Sequence, residues 1–196
     1  DFRGFDKVII PGIPVYLAPT TAGTGSEASF NASLVDTDSN KKLGINGINM
    51  FARKSFLDGY TTISCPRRPA VGASVDAIVH AMEGYICKNS NIFSDMFAET
   101  AIGLLANSIL DLNEDTPDMD KRLNLLKGAY LAGVVQMNSG SGIAAAISYP
   151  LSGCLPSHKF VTNSRASLFS LTLTPRDKPG RFGYLLGRFR AHVDLH

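Results

Sequence analysis

Asp76 and His80 stand four residues apart in the run 74–85, SVDAIVHAMEGY, among good helix formers that include Ala77, Ile78, Ala81, Met82 and Glu83. On a helix, positions i and i+4 share a face, so this carboxylate and imidazole converge on one point. A carboxylate oxygen beside a neutral imidazole nitrogen suits a borderline divalent cation such as Zn2+ or Fe2+. A plain Asp–His hydrogen bond on a half-buried helix would have the same spacing. A second run with chemical potential is TTAGTGSE at 20–27, dense in hydroxyls and glycine. Glycines let a backbone approach a ligand closely, and hydroxyls with free N–H groups cradle phosphate or ribose oxygens. An ordinary loop after a strand has the same composition.

Other patterns are excluded by a missing member. No Gly-Lys-Ser/Thr follows the hydroxyl run, so it is not a Walker A loop. The turn Asp36-Thr37-Asp38-Ser39-Asn40 begins like a calcium loop, but Lys41 stands where glycine is required and Gly47 where the closing Glu belongs. Gly140-x-Gly142 is too weak for a dinucleotide fingerprint, since it follows a helical pattern rather than a strand. Cys65, Cys87 and Cys154 are few, odd in number and far apart, without CxxC spacing. They fit a reducing cytoplasm, not a disulfide framework or a structural zinc site. The sequon Asn31-Ala32-Ser33 follows no signal peptide and is read as chance.

The elements that must position these residues come from periodicity. At 196 residues the chain can bury a proper core, and 44% apolar with 18% charged residues is the balance of a soluble globular protein. A net charge of +2 gives no argument for nucleic acid or a membrane, and no apolar run reaches spanning length. Short strands are expected at 7–10 and 14–18, held short by Pro11, Pro14 and Pro19. A hairpin is expected from 27–35 and 42–48 across the polar turn at 36–40. Residues 51–66 read as irregular. Three helices follow at 73–87, 94–112 and 118–137, with Ser94 and Asp118 as N-caps. A short helix at 143–149 and a strand at 168–174 come next. The final stretch is basic, with Lys159, Arg165, Arg176, Lys178, Arg181, Arg188 and Arg190 against Asp177 and Asp194. No internal repeat is present.

An α/β piece with a Thr/Gly loop followed by helices bearing Asp-x3-His resembles the iron-containing (group III) alcohol dehydrogenase family. PTTAGTGSEAS at 19–29 looks like that family's cofactor-contacting segment, and Lys42-Leu43-Gly44 like the lysine on its next strand. DGYTTISCP at 58–66 is similar to a family stretch usually reading Asp-Pro-x-Leu-Thr-x-x-x-Pro. SVDAIVHAMEGY resembles the segment that gives the first two metal ligands. The match runs from about residue 14 to 158, the middle of a whole family member.

The resemblance implies an α/β nucleotide-binding portion with a β-hairpin, then an all-helical portion. This is an incomplete dehydroquinate synthase-like / iron-containing alcohol dehydrogenase fold. Its divisions are expected at 1–66 for the α/β dinucleotide-binding part, 67–158 for the helical metal-binding part, and 159–196 for a divergent basic tail. It implies NAD or NADP contacts from Thr20, Thr21, Thr24, Gly25, Ser26, Ser29, Lys42 and Thr62. It implies Fe2+ or Zn2+ held by Asp76, His80 and His158. The activity implied is hydride transfer between nicotinamide and a small alcohol or carbonyl, in a cytoplasmic homo-oligomer.

The sequence departs from the family in three places. Aligned on Pro150-Leu151, Ala145 replaces a histidine ligand and Tyr149 a histidine near the nicotinamide. Alanine ligates nothing, whereas Tyr149 retains a hydroxyl for proton handling, with a reference pKa of about 10. Pro156-Ser157-His158 stands where Pro-His-Gly is usual, which makes His158 the remaining ligand candidate. The pyrophosphate motif is absent, and the chain opens at Asp1 rather than Met, as expected of a fragment or processed form. Two other readings stay open: a redox-inactive nucleotide- or partner-binding fragment, and a related metal-dependent lyase.

Overall fold

The computed structural model describes residues 2–36, 38, 41–112, 116–140, 142, 180–181, 183–185 and 187. Two small sheets precede three long helices. In the first sheet β1 (Gly4–Phe5) runs parallel to β4 (Lys41–Asn46), which pairs antiparallel with β3 (Asn31–Asp36). In the second, β2 (Tyr16–Leu17) pairs in parallel with β5 (Lys54–Ser55). The expected hairpin forms, with Ser33 opposite Gly44 and Asp36 opposite Lys41. An edge-to-face aromatic chain links Phe5, Phe30 and Phe51, with ring centroids 5.6 and 5.5 Å apart.

Two expectations about strands are corrected. The first hairpin strand starts at Asn31 rather than residue 27, because Ser26–Ala28 form a 3-10 turn closed by the Ala28 N–H on the Gly25 carbonyl. No strand forms at 7–10, where Ile9 and Ile10 are exposed and Pro11 interrupts any ladder. The irregular stretch 51–66 holds β5 and a 3-10 turn, Gly59–Thr62, capped by the Asp58 carboxylate on the Tyr60 N–H.

The helices are α1 (Arg67–Ile86), α2 (Ile92–Ile109) and α3 (Met119–Ser139). α1 begins six residues earlier than periodicity suggests. Pro69 lies in its first turn, where a missing N–H costs nothing, so this proline does not break the helix. α2 is capped by Asn91 rather than Ser94. The Asn91 side chain accepts from the Phe93 and Ser94 N–H groups, while Ser94 Oγ accepts from the Asn91 N–H. Ser94 thus fills the reciprocal place of a capping box. Asp118 caps α3 as expected, accepting from the Asp120 and Lys121 N–H groups.

α1 is buried almost all round from Ala73 to Tyr85, which makes it the central helix. Alanines at 77, 81, 98, 101, 129 and 132 let the three helices approach, and Ile102, Leu105, Leu126 and Val135 fill the space between them. Each such large side chain contributes roughly 1.5–3 kcal/mol on burial. Leu185 joins this core with no exposed surface, although it lies more than forty residues beyond α3. Four residues before it, Arg181 pairs with Asp95, donates to Ser90 Oγ at 3.2 Å and stacks 4.4 Å from the Tyr85 ring centre.

Candidate active site

α1 carries Asp76 and His80 on one face, with their side chains 12% and 15% exposed. His80 Nε2 lies 3.7 Å from Asp76 Oδ1, beyond hydrogen-bond range, so the plain Asp–His hydrogen bond does not form. His80 Nδ1 is enclosed and, among the described residues, has no hydrogen-bond partner. Two ligand atoms on a tetrahedral ion with bonds of about 2.1 Å stand about 3.4 Å apart, close to the separation seen. The oxygen–nitrogen donor set and this spacing fit a divalent metal bridging the pair. Among the described residues no third His, Cys, Asp or Glu joins them. His158, Ala145 and Tyr149 lie outside the described residues.

The hydroxyl loop is pressed into the angle between α1 and α3. At Gly23 a Cβ would meet the Ala73 Cβ at 2.9 Å, one turn before Asp76. At Gly25 it would meet the Ala129 carbonyl oxygen at 2.4 Å, and the residue adopts φ 60°. Only glycine satisfies both that contact and that conformation. The loop therefore sits within about one helical turn of the Asp76–His80 pair along α1.

Its hydroxyls divide into two groups. Thr20, Thr24 and Ser26 face solvent, and Thr24 Oγ1 accepts from the Ser26 N–H at 3.2 Å. Ser29 and Thr62 are buried and spend their hydroxyl protons on the Ser26 and Gly59 carbonyls, at 3.0 and 2.8 Å. Those two shape the loops from within. Thr21 is half-buried and lines a cavity of about 10 Å³, shared with Thr62, Ser74 and Arg122. That is the room of a single water. Lys42 stands on β4 opposite Val35.

Sequence reasoning passed over three residues that assemble these parts. Arg122, 3% exposed on α3, donates Nη1 to the Thr62 carbonyl. Thr61 Oγ1 donates to the Pro19 carbonyl at 2.6 Å, tying the 58–66 stretch to the start of the hydroxyl loop. Glu27 is buried in that loop, and desolvation pushes its carboxyl above the ordinary pKa, partly offset by a backbone N–H. One signal was available. Glycines inside a helix cost about 1 kcal/mol relative to alanine, so Gly128 and Gly133 in α3 mark close approaches.

An α/β piece with a hairpin, joined to a helical bundle, is the fold of iron-containing alcohol dehydrogenases. A solved 1,3-propanediol oxidoreductase superposes with a TM-score of 0.77 at 27% identity, over 83% of this chain and 42% of that one. The iron-containing alcohol dehydrogenase of Thermotoga maritima gives 0.77 at 28% identity, over 94% and 50%. Residues 70–160 match the C-terminal model of the Fe-containing alcohol dehydrogenase family. The chain belongs to that family. Long-chain-alcohol dehydrogenase 1 of Geobacillus thermodenitrificans is 34% identical over 72% of this chain and 35% of its own length. NAD-dependent methanol dehydrogenase of Bacillus methanolicus is 27% identical over 84% and 43%, and 4-hydroxybutyrate dehydrogenase of Clostridium kluyveri 33% over 70% and 38%. The chain thus spans 35 to 43% of the length of these curated relatives.

Proposed function

We propose that this chain supplies metal and cofactor contacts of an NAD(P)-dependent alcohol dehydrogenase or aldehyde reductase. The observation that carries the reading is the Asp76–His80 pair, 3.7 Å apart and withdrawn from water, on the helix against which the hydroxyl loop packs. A bound Fe2+ or Zn2+ would act as a Lewis acid on a substrate oxygen. Nicotinamide, as NAD or NADP, would supply or accept the hydride. The chain's own part is to hold and orient. Thr20, Thr24 and Ser26 would present hydroxyls to a dinucleotide, and Gly25, Thr21 and Lys42 complete the proposed set of contacts. Ser29 and Thr62 keep the two loops in shape. His158 is the third ligand in this reading, and Tyr149 the proton-handling group. The relatives' names favour a small alcohol or aldehyde as substrate.

The wider setting of this reading is a cytoplasmic homo-oligomer, divided at 66/67 and 158/159 as the motifs suggest. Three widely spaced cysteines, Cys65, Cys87 and Cys154, support the compartment. Among the described residues no helix is long and apolar enough to cross a membrane. Exposed Phe2, Phe5, Ile9, Ile10 and Ile13 favour association.

Elemental analysis of untagged protein tests the site. Near-stoichiometric iron or zinc, lost in Asp76→Ala, His80→Ala and His158→Ala, is the expected result, followed by NADH consumption with an aldehyde. One observation favours a second reading: only two ligands converge among the described residues, and Ala145 occupies the usual third place. Metal-free protein that still binds dinucleotide would establish a redox-inactive binding module instead.

A further inference from the structure

Glu83 is the buried charge on α1 that the proposed chemistry leaves unused. It follows Asp76 by seven residues and His80 by three, so all three lie on one stripe of the helix. It is 2% exposed, and a buried carboxylate on a metal-binding stripe invites reading as a third ligand. The geometry points elsewhere. No group of three ligating side chains forms among the described residues. Glu83 Oε2 instead accepts the Gly142 N–H at 3.0 Å, just past the end of α3.

The contacts around it press α1 and α3 together. A Cβ on Gly142 would lie 2.5 Å from the Glu83 carboxyl carbon, so an alanine there would have to push the carboxylate aside. A Cβ on neighbouring Gly84 would lie 2.2 Å from Val135 Cγ1 and 2.7 Å from Ser139 Oγ. One turn on, Cys87 Sγ donates to the Ser139 carbonyl at 2.8 Å. Glu83, Gly84 and Cys87 therefore dock the C-terminal part of α1 on the C-terminal end of α3.

We propose that Glu83 is a positioning residue for the Asp76–His80 pair, acting through Gly142 and not as a ligand; this rests on the metal reading above. A rotation of α1 about its axis carries the whole 76–80–83 stripe with it. An anchor at Glu83, roughly 4.5 Å along the axis from His80, sets that rotation. It holds the two ligand side chains at one azimuth relative to α3, whose other contacts hold the hydroxyl loop at Gly25.

The test compares Glu83→Ala, Glu83→Gln and Gly142→Ala in the full chain, with circular dichroism confirming helix content. Two quantities are read: exchange of the Gly142 amide, and affinity for Zn2+ by competition with a chromogenic chelator. Glutamine keeps an acceptor oxygen for the Gly142 N–H, whereas alanine keeps none. Glu83→Ala is expected to speed exchange at Gly142 and to weaken Zn2+ binding by roughly 10–100-fold, the size of effect when a residue supporting a ligand is lost. Glu83→Gln is expected to stay close to wild type in both. Gly142→Ala, which leaves Glu83 intact, is expected to weaken Zn2+ in the same direction as Glu83→Ala. Glu83→Gln losing Zn2+ as completely as Asp76→Ala, with Gly142 still protected, would make Glu83 a ligand and overturn the proposal. Unchanged exchange at Gly142 in Glu83→Ala would overturn it as well. Wild-type protein that binds no Zn2+ sinks the metal reading, while the exchange measurement still decides the tether.

Discussion

Gly25 and Gly133 touch backbone to backbone. A Cβ added to Gly25 would stand 2.8 Å from the Gly133 Cα, and one added to Gly133 would stand 2.4 Å from the Gly25 carbonyl oxygen. The hydroxyl loop and α3 meet there with no side chain between them. Gly133→Ala should cost about 1–3 kcal/mol by overpacking, with the strain released by moving the loop. Urea unfolding reads the first effect, and titration with NADH fluorescence the second. Normal dinucleotide affinity in a destabilised Gly133→Ala would detach the loop from cofactor binding.

Arg181 and Leu185 should be worth more than their distance in sequence from α1 and α2 suggests. Leu185→Ala removes a fully buried side chain from the helical core and should cost about 2–5 kcal/mol. Arg181→Ala loses the partners Asp95, Ser90 and Tyr85. That site is partly open to solvent, so the expected loss is about 1 kcal/mol and should shrink with added salt. Thermal unfolding of both variants at low and high ionic strength checks this. An unchanged Tm in Leu185→Ala would mean the helical core does not need this segment.

Burial holds the Glu27 carboxyl above its ordinary pKa of 4.5. The folded state therefore binds this proton more tightly than the unfolded state does. Stability falls as pH rises from the unfolded value through the folded one, and the whole penalty is present above that window. Glu27→Gln cannot ionise and should be more stable than wild type at pH 8, with the gap narrowing toward pH 4.5. Urea midpoints across this range decide it, and a gap that does not vary with pH would contradict the assignment.

The N-terminus of α3 offers a control on metal content. Asp118 accepts from two N–H groups at the start of α3, so Asp118→Ala should cost about 1 kcal/mol without changing metal content. Metal loss in that variant would show that α3 stability and the site are coupled across the whole helix.

Legibility in the sequence followed the range of the interaction. Asp118 as a cap, the hairpin around 36–40 and the Asp76–His80 spacing are local, because each depends on partners within a few residues. α1 starts six residues before the periodic run because Pro69 lies in its first turn, where a missing N–H costs nothing. Asn91 and Ser94 both carry capping chemistry, and only the backbone at Asn91 decides which of them is the cap.

What the chain determined by itself was therefore its periodic elements and the residue types able to bind a metal and a dinucleotide. Family motifs could be read from the order of these short runs, because each run is contiguous. Tertiary structure alone decided which hydroxyls face outward. Ser29 and Thr62 turn to carbonyls of their own loops, while Thr20, Thr24 and Ser26 remain exposed. It alone brought Arg122 to Thr62, Glu83 to Gly142 and Leu185 into the helical core. The partners in those contacts are separated by about sixty residues or more, so no local pattern encodes them. They arise when α1 is buried on nearly every side and each polar group on it must find a partner wherever the chain supplies one.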